Sequence, residues 1–294
     1  MFVRMSRLAR LNLPAQMLLD GGMGTELIAR GLRAGMDCPE AWNVDRPGDV
    51  REVLAGYFAA GADAVQTNTF GATRVRLRAF RREREVRTYN LQGALLAREV
   101  RPPGKWVIGD MGPTGLVPPP EGRADLAELE DAYAEQAMAL AEGGVDFLHI
   151  ETLYHPKEAR AALRGARLGA PGLPVVASMT CRATATGYAT PLGMTPETML
   201  AAFIEEGADG VGVNCTLPPG DRLDLVRQLR ARTSLPLFAK PTATPNGAAR
   251  IRSEDMATGA VALFAVGATA VGGCCGTTPF DIHHMRGRLD PRAT

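Results

Sequence analysis

Near the end of the chain two cysteines stand side by side among glycines, in Val271-Gly272-Gly273-Cys274-Cys275-Gly276. In a regular strand adjacent side chains point to opposite faces. A disulfide between neighbours is strained, because bridged cysteines keep their Cα atoms more than ~4 Å apart. Glycines on both sides loosen the backbone so that both sulfurs can turn the same way. A third cysteine, Cys215, closes the run Gly212-Val213-Asn214-Cys215. Three thiolates form a soft site that favours zinc, and three protein ligands leave a fourth position open, as in catalytic rather than structural zinc. A substrate thiol bound there would lose its proton, against an ordinary pKa of about 8.5, and become a nucleophile at neutral pH.

Other chemistry-bearing residues read less sharply. Asp20 and Glu151 each end an apolar run; such carboxylates either cap a following helix or hold a cationic group such as a substrate ammonium. Cys38 and Cys181 read as small buried hydrophobes. His283 and His284 read as surface residues, and the arginine-dense stretch 74–87 as a solvated helix face rather than a dock for an acidic partner.

These residues need a scaffold that brings them to one place. Four segments share a layout: 59–68, 142–151, 205–214 and 265–274 each run from a helix end through glycine to an apolar run closing on a polar residue. Glycine suits a helix C-terminus, and continuous β-branched runs suit parallel strands buried on both faces. Four further strands are predicted at 17–22, 105–112, 174–180 and 235–241. Helices are predicted near 49–60, 74–99, 125–142, 156–168, 196–206, 220–232, 253–266 and 280–288. Eight strand–helix units make an α/β chain with a single (β/α)8 TIM barrel over residues 1–294. An open doubly wound sheet is the alternative, weakened by the lack of a phosphate-binding glycine fingerprint. The Pro/Gly-rich segment 112–125 becomes a long functional loop after strand three rather than a linker.

In such a barrel chemistry sits at the C-terminal ends of the strands. That rim collects Asp20, Thr67, Asn68, Thr69, Asp110, Glu151, Thr180, Cys181, Asn214, Cys215, Lys240, Cys274 and Cys275. Strands six and eight have one neighbour between them, about 9–10 Å in all, so one ion can be reached from both. Composition sets limits. The 294 residues carry a net charge of +1 and 5% aromatics, which argues against nucleic-acid and membrane-surface partners. The basic start, residues 1–16, lacks the apolar core of a secretory signal, and no apolar run reaches the ~20 residues of a membrane helix, so a cytoplasmic location is expected.

Several stretches resemble the homocysteine S-methyltransferase family: DGGMGTEL (20–27), QTNTFGAT (66–73), GDMGPTG (109–115), IETL (150–153), GVNC (212–215) and GGCCGTTP (272–279). The chain looks most like the homocysteine-binding barrel of cobalamin-dependent methionine synthases. The resemblance runs from about residue 17 to 286. It implies a (β/α)8 barrel with Zn2+ on Cys215, Cys274 and Cys275, and methyl transfer to homocysteine giving methionine. It further implies that Asp20 and Glu151 hold the amino acid end, with Asn68 and Asn214 also at the substrate. Backbone amides around Gly21, Gly22 and Thr25 would receive the carboxylate. Two departures stand out. Thr242 and Thr244 replace the Asn and Gly of the family's Pro-Asn-Ala-Gly stretch, and Gly71 stands where betaine-using relatives carry an aromatic. The donor is then a corrinoid protein supplied in trans, or a sulfonium such as S-methylmethionine or S-adenosylmethionine. Two other readings compete: a cysteine-nucleophile enzyme with Cys275 attacking and His283 or His284 as base, and a non-enzymatic zinc- or thiol-binding barrel.

Overall fold

A computed structural model describes residues 11, 13–245 and 249–290. The basic N-terminal stretch 1–10, and Asn246 and Gly247 of the strand-seven loop, lie outside the described residues. The strands are β1 (Met17–Leu18), β2 (Ala64–Gln66), β3 (Trp106–Met111), β4 (Phe147–Leu153), β5 (Val175–Met179), β6 (Arg182–Thr184), β7 (Gly187–Ala189), β8 (Gly210–Cys215), β9 (Leu237–Pro241) and β10 (Ala270–Val271). All except β6 and β7 form one parallel sheet, ordered β1-β10-β9-β8-β5-β4-β3-β2. A parallel bridge from Leu19 to Ala64 joins its two ends. The sheet is therefore the expected barrel, not the open doubly wound alternative.

The recurring sequence layout has a physical basis. Gly61, Gly144, Gly207 and Gly267 each follow a helix with φ between 76° and 102°, a region glycine enters at little cost. Two residues on, Asp63, Asp146, Asp209 and Thr269 each accept a hydrogen bond from the first amides of a neighbouring strand, at Leu18, Val107, Val175 and Leu237. Each unit thus ends its helix, turns into its own strand, and fixes the base of the preceding strand with one short segment.

Helices alternate with the strands: α3 (Pro47–Ala59), α5 (Val86–Glu99), α6 (Leu126–Glu142), α7 (Pro156–Gly169), α8 (Pro196–Glu205), α9 (Pro219–Arg230), α10 (Ser253–Ala265) and α11 (Pro279–Leu289). Three elements were not predicted. Helix α1 (Met23–Ala29) and a short turn of helix α2 (Trp42–Asp45) follow β1, and the exposed β6–β7 hairpin follows β5. The predicted helix 74–99 is broken. The short α4 (Arg74–Leu77) runs into a 3-10 turn and stops at Arg81, which takes φ 58°, before α5 begins at Val86. Arginines of this stretch face acids of α6, with Arg74 3.1 Å from Glu135 and Arg78 2.7 Å from Glu128. Segment 112–125 is a long loop after β3, tied down where Thr114 N donates to buried Glu158 at 2.8 Å.

Strand alternation layers the barrel interior. Met17, Ala64, Ile108, Phe147, Val176, Phe238 and Ala270 form an apolar plug toward the strand starts. Two residues further along the same strands stand Gln66, Asp110, His149, Ser178 and Lys240, all buried. The period of two carries the interior from apolar to polar within one step, and the polar layer floors the rim.

Candidate metal centre

The rim encloses a cavity of about 420 Å3, walled by residues from β1, β2, β3, β4, β8, β9 and β10 and the turns that follow them. Its mouth carries the cysteines and its floor the charged layer.

Cys215, Cys274 and Cys275 place their sulfurs within 4.8 Å of one another. Cys275 Sγ lies 3.7 Å from Cys215 Sγ. Cys215 and Cys274 are joined as a disulfide, with Cα atoms 5.8 Å apart. The set of three thiolates expected from the sequence therefore forms only when this bond is reduced. The donor set still fits zinc. Two sulfurs each ~2.3 Å from one tetrahedral ion lie a little under 4 Å apart, close to the Cys215–Cys275 spacing. Bringing in Cys274 requires the disulfide to be reduced.

The local backbone explains why these sulfurs meet. Cys215 has φ 62° and Thr152, on β4 with only β5 between, φ 65°. Asn214 links these two turns: its Oδ1 accepts from Thr152 N at 2.9 Å and its Nδ2 donates to Thr152 Oγ1 at 2.7 Å. The adjacent-cysteine turn is held from three sides. Thr277 Oγ1 accepts from Gly22 N at 3.0 Å and donates to Cys274 O at 2.5 Å. Thr25 Oγ1 accepts from Gly276 N at 2.9 Å. Thr242 Oγ1 donates to Cys275 O at 2.8 Å. Gly22 is required by packing, since a Cβ there would stand 2.8 Å from Cys274 O.

The floor is a cluster of charge. Lys240 Nζ lies 3.1 Å from Glu151 Oε2 and 4.0 Å from Asp20 Oδ1, and donates to Gln66 Oε1. Asp20 Oδ2 accepts from Gln66 N at 2.6 Å. Asp20 Oδ1 and Asp110 Oδ1 are buried without a hydrogen-bond partner. Burial, partly countered by Lys240, pushes Asp20 up to about 7. Burial and the neighbouring Glu151 push Asp110 well above the usual carboxylate range. Burial also works against Glu151, yet Lys240 and His149 hold it below its ordinary value. His149, bonded to Ser178 Oγ at 2.7 Å, is driven down to about 4 by burial.

The structure brings together most of the residues singled out from sequence. Asp20, Gly21, Gly22, Thr25, Asn68, Glu151, Cys215, Cys274 and Cys275 all border the cavity. Asn214 does not: its amide bonds Thr152, and its Nδ2 also donates to Cys274 Sγ at 3.9 Å, so it supports the cysteines from behind the wall. The Gly22 amide is committed to Thr277, and both Asn68 amide hydrogens go to Pro39 O and Asn43 Oδ1. His283 and His284 sit on α11, away from the cavity, where His284 packs on Phe280 at 4.5 Å. They are out of place as a base for Cys275. Cys38 and Cys181 are buried, as expected. Gly71 donates its amide to Glu40 Oε1 at 2.7 Å, and a Cβ at 71 would meet that oxygen; Phe70, one residue earlier, lines the cavity instead. Gln66 was missed. Its signal was present, since it lies two residues after Ala64 on the inward face of β2 and two before Asn68.

A family model described as homocysteine S-methyltransferase matches residues 17–289. Methionine synthase of Mycobacterium tuberculosis is 33% identical over 92% of this chain. The chain spans about a quarter of that relative's length (24%). Among solved structures, the metallated form of the homocysteine methyltransferase MmuM from Escherichia coli superposes with a TM-score of 0.78 and 26% identity, covering 94% of this chain and 96% of that one. The oxidized form of the same protein gives 0.78 at 24% identity, over 97% and 100%.

Proposed function

We propose that this chain, which belongs to the homocysteine S-methyltransferase family, moves a methyl group to the thiol of homocysteine to give methionine. The observation that carries the reading is the convergence of Cys215, Cys274 and Cys275 at the mouth of a cavity floored by carboxylates. In their reduced state these three cysteines would hold Zn2+, which when bound lowers the pKa of a coordinated thiol toward neutrality and orients it.

The protein's own residues supply the rest. Thr25, Thr242 and Thr277 fix the cysteine turn, and Asn214 fixes Cys215 against β4. The buried floor recognises the amino acid end. A rigid acceptor matters because methyl transfer needs the thiol in line with the donor. The donor approaches from the open rim. A corrinoid protein supplied in trans is favoured by the likeness to methionine synthase, and S-methylmethionine or S-adenosylmethionine is the alternative. The single barrel over 1–294 and a cytoplasmic location are part of the same reading; among the described residues no helix is long and apolar enough to cross a membrane.

The test is zinc content and proton release. Reduced protein should carry about one zinc per chain, and homocysteine should release its thiol proton on binding. A donor screen with methylcobalamin, S-methylmethionine and S-adenosylmethionine then identifies the methyl source. Methyl transfer by metal-free protein would sink the zinc mechanism. Zinc and thiol binding without transfer from any donor would leave a binding barrel.

A further inference from the structure

The cavity floor holds three buried carboxylates, Asp20, Asp110 and Glu151, against one buried cation, Lys240. Glu151 and Lys240 satisfy each other directly at 3.1 Å, and Lys240 spends a second hydrogen on Gln66 Oε1. Glu151 therefore already has its ammonium. What is left over is on the other side of the floor. Asp20 follows β1 and Asp110 lies on β3, flanking β2, and the bond from Gln66 N to Asp20 Oδ2 draws the Asp20 carboxylate across β2. Asp20 Oδ1 lies 4.0 Å from Lys240 Nζ, beyond hydrogen-bond distance, so neither Oδ1 has a hydrogen-bond partner, and both residues border the cavity. Unpaired buried acceptors cost free energy unless a donor arrives. Two of them in a pocket short of positive charge make a seat for a cation with hydrogens to give.

We propose that Asp110 is an acceptor-binding residue: the Oδ1 atoms of Asp20 and Asp110 together receive the α-ammonium of the thiol substrate, while Glu151 serves Lys240. The inference rests on the thiol-methylation reading and adds to it the residue that recognises the amino group. The raised positions of Asp20 and Asp110 agree with it, as carboxylates waiting for a cation behave this way.

The test crosses one protein change with one ligand change. Reduced, zinc-loaded wild type and Asp110→Asn are titrated calorimetrically with homocysteine and with 4-mercaptobutanoate, which lacks only the amino group. Homocysteine affinity should fall tenfold or more in Asp110→Asn, while 4-mercaptobutanoate changes less than twofold. Asp110→Ser, smaller and also neutral, should show the same selective loss and guards against a folding defect peculiar to asparagine. Equal losses for both ligands would mean a structural role and overturn the proposal, as would no loss for homocysteine. Failure of both thiols to bind wild type would be a different result, sinking the thiol reading and this inference with it.

Discussion

Lys240 and Glu151 form an ion pair inside the barrel, Nζ to Oε2 3.1 Å, with both side chains almost wholly removed from solvent. Their strands are not neighbours in the sheet; β8 and β5 lie between them. The pair thus spans the barrel interior and fixes the floor on which the rest of the site stands. Breaking one partner of a buried pair leaves a bare charge and costs about 3–5 kcal/mol. Lys240→Met should lose that much in urea unfolding. The double change Lys240→Met with Glu151→Gln should recover more than half. A single variant as stable as wild type would show that the floor tolerates an unpaired Glu151.

Metal uptake should follow the redox state of the cysteines. The sulfurs of Cys215 and Cys274 cannot both bond each other and ligate an ion. Protein treated with a thiol oxidant should take up no zinc, and reductant should restore about one per chain. Cys275→Ser should stay substoichiometric in either state, by atomic emission after dialysis. Stoichiometric zinc in Cys275→Ser would remove that residue from the ligand set.

Thr277 joins the two ends of the chain at the site, accepting from Gly22 N and donating to Cys274 O. Thr277→Val keeps the shape and removes both bonds. It should cost about 1–3 kcal/mol of stability, the penalty for stranding buried partners. Zinc affinity, measured by competition with a chromophoric chelator, should fall with it. Stability lost without any change in zinc affinity would separate this contact from the metal site.

Between about pH 4 and pH 6.5 two buried groups pull stability in opposite directions. His149 is held at about 4, below its ordinary 6.5, so below pH 6.5 the unfolded chain takes a proton that the native state refuses until about pH 4. Its contribution is present above pH 6.5 and is lost as pH falls. Asp20 is raised from 3.8 to about 7, so the native state keeps a proton that the unfolded chain gives up. Its contribution is full below pH 3.8 and is lost as pH rises toward 7. Each slope approaches ~1.4 kcal/mol per pH unit. His149→Asn should therefore lose stability relative to wild type as pH rises through this window, and Asp20→Asn should gain. Parallel pH profiles for all three proteins would contradict both assignments.

Much of this was written locally. The barrel followed from glycine-terminated helices and continuous apolar strands, since a parallel strand buried on both faces leaves little freedom in residue type. The recurring Gly-x-Asp/Thr segment even carried its own strand anchor at Asp63, Asp146, Asp209 and Thr269. The cysteine trio was legible because paired cysteines among glycines have few other uses. The break at Arg81 was not, because a run of arginines shows no local reason to leave the helix; the ion pairs that hold it come from α6, far along the chain.

Which carboxylate is free and which is spent was decided only by the tertiary structure. Asp20, Asp110, Glu151 and Lys240 come from four different strands, and their states depend on distances that no spacing encodes. Lys240 reaches Glu151 across the interior at 3.1 Å and Asp20 only at 4.0 Å, which leaves the Oδ1 atoms of Asp20 and Asp110 without hydrogen-bond partners. Asn214 reads like a substrate residue beside Cys215 until the positive φ of Thr152 brings a backbone amide to it. Residue type proposes a chemistry, but burial and the nearest opposite charge assign it, and both are properties of the closed barrel.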